Sequence, residues 1–235
     1  MNLDYFYCPP ENIKDDQVVV EGEEFAHLTH VMRKREGDMI RVVNGKGIAY
    51  DVELVSLKKK AAEGKIRESY VHHNEARQQI TVAVGLLKNP HRFDFLIEKV
   101  TELGVTTIIP LTTSRTIPSH TKIERWQKLA LSAMKQSCRS FLPAISEAMA
   151  LEELLRTSER YSRKILFHEK AEHDFTKEPN AADSTLLLIG PEGGFSDEEV
   201  DLCVQKGFLA CSLGERRLRT ETAAIVGAAM AMLKG

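Results

Sequence analysis

The chain has 235 residues, of which 43% are hydrophobic and 28% are charged, and its formal net charge is −2. This composition is typical of a globular protein, and the length allows one large domain or two small ones. No apolar run is long enough to span a bilayer, the N-terminal residues lack the features of a signal peptide, and the cysteines form no CxxC pair, so we expect a cytoplasmic protein with no membrane segment, disulfide framework or metal site.

The N-terminal part of the chain predicts a small, mostly β domain. Three β-rich runs, VVVEG, DMIRVVNG and IAYDVELVSL, are bounded by Gly, Asn or Asp. Asn44-Gly45-Lys46-Gly47 between the last two predicts a hairpin, and a short helix is expected near residues 23–33. The segment VHHNEARQQ is polar and aperiodic, so we place the domain boundary there and expect domains at 1–72 and 73–235.

After residue 79 the pattern changes to alternating strands and helices. Apolar runs predict strands at ITVAVGLL, VTTIIPL, KILFH, TLLLIG and FLACSLG, and helices with one apolar face are predicted at HRFDFLIEKVTELG and IERWQKLALSAMKQS. Uniformly apolar strands are typical of a parallel sheet whose two faces are both covered. The second domain is therefore predicted to be α/β, with ligands bound beyond the carboxyl ends of its strands.

A glycine-rich turn, GPEGG, separates the strand TLLLIG from a well-specified helix. Ser196 and Glu199 form a capping box, and Phe195 and Val200 occupy the positions of a hydrophobic staple. The turn is thus held between a buried strand and a firmly started helix, which suits a binding loop. A plain tight turn would use the same residues.

The ligand of such a loop is not expected to be a nucleotide phosphate. GPEGG matches neither GxGxxG nor GxxxxGK[ST], and the acidic first turn of the helix would repel a pyrophosphate. S-adenosylmethionine (SAM), which carries a sulfonium and no phosphate, fits better beside Glu192. These residues exclude NAD and ATP more strongly than they select SAM.

LLLIGPEGGFSDEEV and SLGERRLRTETAAIVGAAM resemble the two hallmark loops of the RsmE family, bacterial 16S rRNA uridine-N3 methyltransferases of the SPOUT superfamily. Three further stretches agree: HLTHVMRKREGDMIRVVNGKG, FLIEKVTELGVTTIIPLTTSRT and RWQKLALSAMKQSCRS. The resemblance therefore covers nearly the whole chain. The chain departs from the family at Lys135, where an acidic residue is frequent.

The resemblance implies a small PUA-like, β-barrel RNA-binding domain followed by a SPOUT α/β domain with a deep trefoil knot. It also implies that SAM binds among three loops, at residues 167–169, 190–194 and 213–220. The expected cofactor-binding residues are Phe167, Glu169, Gly190, Glu192, Gly193, Gly194, Leu213, Gly214, Leu218, Arg219 and Thr220.

Methylation at N3 of uracil requires an unpaired or flipped base, because N3 lies on the Watson–Crick edge. As N3 loses its proton, negative charge develops on O2 and O4, and a fixed cationic donor would stabilise it. Arg115, after the strand VTTIIPL, and Arg219, in the third loop, are the catalytic candidates, although both could simply grip phosphate or brace a loop. No general base is evident among the nearby carboxylates, which are Glu98, Glu102, Glu169, Glu192 and Glu221.

Short basic runs mark the expected RNA-binding surface. Arg33-Lys34-Arg35 ends the short helix and matches a basic segment of the family, so we expect these three residues to contact phosphates. Lys135 and Arg139 are expected to extend this track. The lysine triplet at residues 58–60 is interpreted as a solvated face.

The C-terminal helix, at residues 221–233, is apolar almost all round, so it must be covered on more than one side. Gly227 and Ala231 are small enough for another helix to approach closely. The resemblance implies dimerisation through the knot region, with Arg115 reaching the partner's SAM. We therefore expect an obligate homodimer that acts on 16S rRNA or the small ribosomal subunit. The alternatives are a non-catalytic RNA-binding or ribosome-assembly factor, and a SPOUT methyltransferase of another target such as ribose 2′-O.

Overall fold

The computed structural model describes residues 3–117, 121–178 and 182–233. The chain forms two compact units, of which the first comprises Met1–Glu75 and Leu131–Leu142 and the second comprises Ala76–Ala130 and Pro143–Gly235. The end of the first piece lies close to the expected boundary at residue 72. The second piece of the first unit has no counterpart in the sequence-based division.

The first unit is built on a six-stranded sheet. Its strands are β1 (Tyr5–Tyr7), β2 (Ile13–Lys14), β3 (Gln17–Glu21), β4 (Met39–Val43), β5 (Ile48–Leu57) and β6 (Ala61–Val71). They lie in the order β1-β4-β5-β6-β3-β2. Helix α1 (Gly22–Ala26) and a π-helical turn (His27–Val31) follow β3. Buried residues of five strands share one core with Leu28, so the sheet curves around that core.

The hairpin predicted at residues 44–47 is confirmed. Strands β4 and β5 pair antiparallel on either side of it. The side-chain Oδ1 of Asn44 accepts hydrogen bonds from the backbone N–H groups of Lys46 (2.8 Å) and Ile48 (3.1 Å), which closes the turn. Strand β6 was not predicted, because its outward-facing positions are charged and only its pairing with β5 and β3 reveals it.

Glu75 is one of the residues that join the segment Leu131–Leu142 to the rest of the first unit. The Glu75 carboxylate accepts a hydrogen bond from the Arg139 guanidinium (2.8 Å) and from the backbone N–H groups of Ser140 and Phe141 (2.8 Å each). Arg139 is 2% exposed. The expectation that Arg139 contacts RNA is therefore wrong, since its guanidinium is buried against a carboxylate. Lys135, at the position that departs from the family, forms an ion pair with Glu24.

The second unit contains a parallel sheet, as predicted. Its strands are β7 (Gln79–Gly85), β8 (Thr107–Thr112), β9 (Ala144–Ile145), β10 (Met149–Ala150), β11 (Arg163–Phe167), β12 (His173–Asp174), β13 (Ser184–Ile189) and β14 (Leu209–Ser212). They lie in the order β10-β8-β7-β13-β11-β14-β12, and β9 pairs with β8. All of these pairs are parallel.

Helices cover both faces of this sheet. The α-helices that follow β7 along the chain are α2 (Pro90–Glu102), α3 (Ile123–Gln136), α4 (Leu151–Thr157), α5 (Asp197–Gln205) and α6 (Thr220–Leu233). Helices α4 and α5 share a core with one set of strand side chains, which includes Ala83, Leu166 and Leu188. Helix α6 packs on β7, β13 and α2. Burial from both sides explains why the strands are apolar throughout.

No helix within residues 3–117, 121–178 and 182–233 is long and apolar enough to cross a bilayer. The four cysteines all lie in the described part of the chain, and none of them forms a disulfide. Burial raises the pKa of the Cys8 and Cys203 thiols to about 12. Both thiols therefore stay protonated near neutral pH and are poor nucleophiles.

Candidate active site

A cavity of about 480 Å³ lies at the carboxyl ends of β11, β13 and β14. Three loops line it, at residues 167–170, 189–197 and 213–220. Each loop follows one of the three strands, so the parallel arrangement alone brings them to one edge of the sheet. This is where the sequence predicted a ligand.

The eleven residues predicted to bind a cofactor all line this one cavity. They are Phe167, Glu169, Gly190, Glu192, Gly193, Gly194, Leu213, Gly214, Leu218, Arg219 and Thr220. The cavity volume lies within the range of small-molecule sites. The three loops, which are far apart in sequence, thus form a single wall.

The GPEGG loop lies directly against the end of β7. A Cβ atom at Gly85 would sit 2.4 Å from the backbone nitrogen of Pro191, so only glycine allows this contact. The Glu192 carboxylate accepts a hydrogen bond from the backbone N–H of Lys88 (3.1 Å). Glu192 therefore ties the loop to the chain after β7, which is a structural reason for a carboxylate in a glycine-rich turn.

The turn itself depends on Gly194. Its N–H donates to the carbonyl of Pro191 (2.9 Å), and its φ is +68°. Apart from its two chain neighbours, no described residue has an atom within 4 Å of the position where a Cβ would stand. The requirement for glycine at this position is therefore conformational, since the left-handed region disfavours other residues.

Arg115 and Arg219 are both exposed and line the cavity. The Arg115 guanidinium donates a hydrogen bond to the carbonyl of Gly193 at 3.0 Å. The structure thus places Arg115 in the wall of its own chain's cavity, and the expectation that it reaches a partner's cofactor stays a prediction. A hydrogen bond from Ser196 lowers the pKa of Glu198, and the positive charge of Arg115 lowers it further.

Sequence reasoning missed several residues that line the cavity, among them Arg92, Lys170, Asp197 and Ala223. Arg92 lies in the first turn of α2, just beyond the carboxyl end of β7. The rule that ligands bind at strand ends could have found it. Its Nε atom is 3.7 Å from Oε1 of Glu221, a residue that is 7% exposed. The other carboxylate oxygen of Glu221 has no hydrogen-bond partner among the described residues.

Positive charge predominates around the cavity. The cationic lining residues are Arg92, Arg115, Lys170, Arg216, Arg217 and Arg219, and the carboxylates are Glu169, Glu192 and Asp197. Arg217 and Glu169 form an ion pair between two of the loops (3.4 Å). The remaining excess of positive charge attracts a polyanion to the cavity.

The basic run in the first unit is divided between exposed and ion-paired side chains. Arg33 and Arg35 are exposed, whereas Lys34 forms an ion pair with Asp4 at 2.7 Å. The two arginines are available for phosphate contacts, and Lys34 and Lys135 are engaged within the first unit.

Helix α6 is more buried in its own chain than expected. A Cβ atom at Gly227 would sit 2.4 Å from the Phe167 ring, so Gly227 makes room for a side chain of the cavity. Ala231 is 3% exposed, and its carbonyl accepts a hydrogen bond from Gln78 (2.7 Å). The prediction that Gly227 and Ala231 admit a second helix from outside is therefore wrong.

Two family descriptions match the chain. The family described as "RNA methyltransferase domain" matches residues 74–232, and "RNA methyltransferase PUA domain" matches residues 20–67. The first match covers more than half of the chain. The second lies within the β-rich first unit.

The two relatives described next share one name. The chain is 32% identical to ribosomal RNA small subunit methyltransferase E of Synechocystis, with 94% of this chain and 74% of the relative covered. It is 30% identical to the protein of the same name from Bacillus subtilis, with 87% and 85% covered.

Two solved structures with bound SAM are also similar to this chain. The crystal structure of ribosomal RNA small subunit methyltransferase E from Neisseria gonorrhoeae bound to SAM superposes with a TM-score of 0.87 at 31% identity, covering 97% of this chain and 96% of that chain. A Legionella pneumophila protein solved in complex with SAM superposes with a TM-score of 0.86 at 28% identity, covering 99% of this chain and 98% of that chain. With these relatives along almost its whole length, and with the RNA methyltransferase domain over most of it, the chain belongs to the ribosomal RNA small subunit methyltransferase E family.

Proposed function

We propose that this protein transfers a methyl group from SAM to N3 of a uridine in 16S rRNA, in the cytoplasm, with rRNA or the small ribosomal subunit as substrate. The observation that carries the proposal is the three-loop cavity, with a glycine-rich turn and two arginines in its wall, in a chain of this family. Two structural neighbours were solved with SAM bound.

The residues present fit SAM. The glycine-rich turn presents backbone to the ligand, and the carboxylate of Asp197 suits a ligand with cationic groups. SAM, when bound, supplies a methyl group on a sulfonium. We assign cofactor binding to the eleven cavity residues named above.

The chain's own contribution to the reaction is positioning and charge. The rigid loops hold the reactants in place, which can supply much of the rate enhancement. Arg115 and Arg219 stabilise the negative charge that develops on O2 and O4 as N3 loses its proton. The excess of positive charge around the cavity guides the RNA to this site.

The trefoil knot forms part of the proposal. In the sheet, β11 separates β14 from β13. Helix α6, which follows β14 in the chain, nevertheless packs on β7 and β13. Residues 213–220 make this return past the GPEGG loop. This return supports the proposal, because a knot requires the chain after β14 to come back across the sheet.

The proposed reaction is tested by mass spectrometry of rRNA nucleosides. Small subunits from a deletion strain are digested before and after incubation with the protein and SAM. We expect N3-methyluridine to appear only after incubation. A ribose-methylated nucleoside would identify another target, and no new nucleoside would favour the non-catalytic RNA-binding factor.

The basic run of the first unit is proposed to bind rRNA phosphates. Replacing Arg33 and Arg35 together by alanine should weaken RNA binding and reduce the magnitude of the slope of log K against log salt concentration by roughly 1.4, since each lost phosphate contact removes about 0.7 for single-stranded RNA. SAM affinity should not change. The matched control replaces Lys59 and Lys60 by alanine, which removes the same charge from the same unit. Equal slopes for the two variants would contradict the assignment.

A homodimer is proposed because α6 keeps an apolar stripe on its outer side. Its members lie at helical spacing and are half-buried or exposed: Ile225, Val226, Ala229, Met230 and Leu233. Phe95, on the neighbouring helix α2, is 47% exposed. A second copy of this stripe would cover these side chains.

Placing glutamate at Ala229 should therefore convert a dimer into a folded monomer, because a buried unpaired charge is costly. The expected readout is half the mass by light scattering, with an unchanged circular dichroism spectrum. Ala228 and Ala231 are unsuitable positions, since they are buried inside the chain itself. A wild-type protein that is monomeric at micromolar concentration would contradict the homodimer.

A further inference from the structure

Glu199 joins two loops that meet at the candidate active site. Oε2 of its carboxylate accepts a hydrogen bond from the backbone N–H of Ser196 at 2.8 Å. Oε1 accepts a hydrogen bond from the backbone N–H of Ser114 at 2.7 Å. Glu199 is 8% exposed. One buried carboxylate therefore joins the end of the GPEGG loop (the pocket loop below) to the loop after β8, at residues 113–116 (the Arg115 loop below).

The first of these bonds belongs to the capping box of α5, in which Ser196 also accepts from the Glu199 N–H at 3.2 Å. A capping box needs only one carboxylate oxygen for its return bond. The second oxygen accepts a hydrogen bond from Ser114, which lies 85 residues earlier in the sequence. Capping alone does not account for this contact.

The residue next to Ser114 is Arg115. Its loop is closed by a hydrogen bond from the Thr113 N–H to Oγ1 of Thr116 (2.8 Å). The Arg115 side chain then lies against the pocket loop, where a Cβ atom at Gly193 would stand 3.1 Å from its Cβ. The guanidinium is itself exposed. The backbone next to Arg115 is thus held by the hydrogen bond from the Ser114 N–H to the buried carboxylate of Glu199.

We propose that Glu199 is a positioning residue that fixes the Arg115 loop against the pocket loop, so that the guanidinium is already in place when the RNA base enters. Charge stabilisation in a transition state depends on donors that are held in advance. A hydrogen bond to a buried carboxylate is among the stronger ones available to a backbone N–H. The inference rests on the proposed function, in which Arg115 acts on the uracil.

The test compares Glu199→Gln with Ser196→Ala. Glutamine has the same shape but only one acceptor oxygen, so one of the two backbone N–H groups loses its partner. Ser196→Ala weakens the cap of α5 but leaves both carboxylate bonds in place. Each variant is also combined with Arg115→Ala, and melting temperatures confirm that all proteins are folded.

Two measurements are made on each protein. Hydrogen exchange of the backbone amides at residues 112–117 is followed without SAM or RNA, and the single-turnover rate of methyl transfer is measured with saturating SAM. We expect Glu199→Gln to speed exchange in this loop and to lower the rate about tenfold, which corresponds to one lost buried interaction. Ser196→Ala should change the exchange rate at residues 112–117 and the rate of methyl transfer by no more than about twofold from wild type. In the Arg115→Ala background, Glu199→Gln should lower the rate no further.

Unchanged exchange at residues 112–117 in Glu199→Gln would overturn the proposal, and so would an equal loss of rate with and without Arg115. Equal effects of Glu199→Gln and Ser196→Ala would show that Glu199 acts only as part of the cap of α5. A wild-type protein without methyl transfer activity would contradict the proposed function instead. The exchange measurement uses neither cofactor nor RNA and still decides whether Glu199 anchors the loop.

Discussion

Replacing Arg115 by alanine is expected to lower the rate of methyl transfer by about 100- to 1000-fold, the loss seen when a preorganised charge-stabilising donor is removed from an active site. The guanidinium lies in the cavity wall and is held by the carbonyl of Gly193. Without it, the charge that develops on the uracil oxygens faces no fixed cation from this loop. Because the side chain acts on the uracil, SAM affinity should change little.

The measurement is a single-turnover rate with RNA, together with the SAM dissociation constant from calorimetry. The matched control is Arg156→Ala, which removes an exposed arginine from α4, outside the cavity. Arg115→Lys should retain part of the rate, since lysine keeps the charge but not the planar fork. A wild-type rate for Arg115→Ala would remove this residue from the mechanism.

Replacing Gly194 by valine is expected to abolish SAM binding. Gly194 has φ +68° in the turn that presents backbone to the cavity. A β-branched residue resists this conformation at a cost of roughly 1–2 kcal/mol, so the turn would open and the loop would move. Methyl transfer should be lost for the same reason.

The control for this variant is Gly207→Val. Gly207 also has a positive φ (+79°), but it ends α5 and does not line the cavity. Both variants should lose a similar amount of stability, and only Gly194→Val should lose SAM binding by calorimetry. Normal SAM affinity in Gly194→Val would exclude the GPEGG loop from the cofactor site.

Much of the second unit was predictable because its signals are local. Apolar runs of strand length, helices with one apolar face and the capping box at Ser196 and Glu199 all depend on neighbours within a few residues. Once the strands are known to be parallel, their carboxyl ends must share one edge of the sheet. The cavity residues themselves were named in advance only through the resemblance to the family, and the order β13-β11-β14 in the sheet explains why the three loops meet.

The first unit was harder to predict, and so were the roles of single charged residues. Strand β6 is recognisable only by its pairing with β5 and β3. Arg139 looked like part of a basic surface, but it is buried against Glu75. A charged side chain in the sequence carries no sign of whether its partner is water, RNA or a carboxylate.

The sequence by itself determined the α/β class of the second unit, the β-rich first unit, the family and the loops of the candidate site, because these follow from local periodicity and from motifs. Only the tertiary structure decided that Gly227 leaves room for the Phe167 ring and that the Glu199 carboxylate accepts a hydrogen bond from the Ser114 N–H. These pairs are far apart along the chain. Their contacts arise from the way the strands and helices pack, and no local pattern of residue types records that packing.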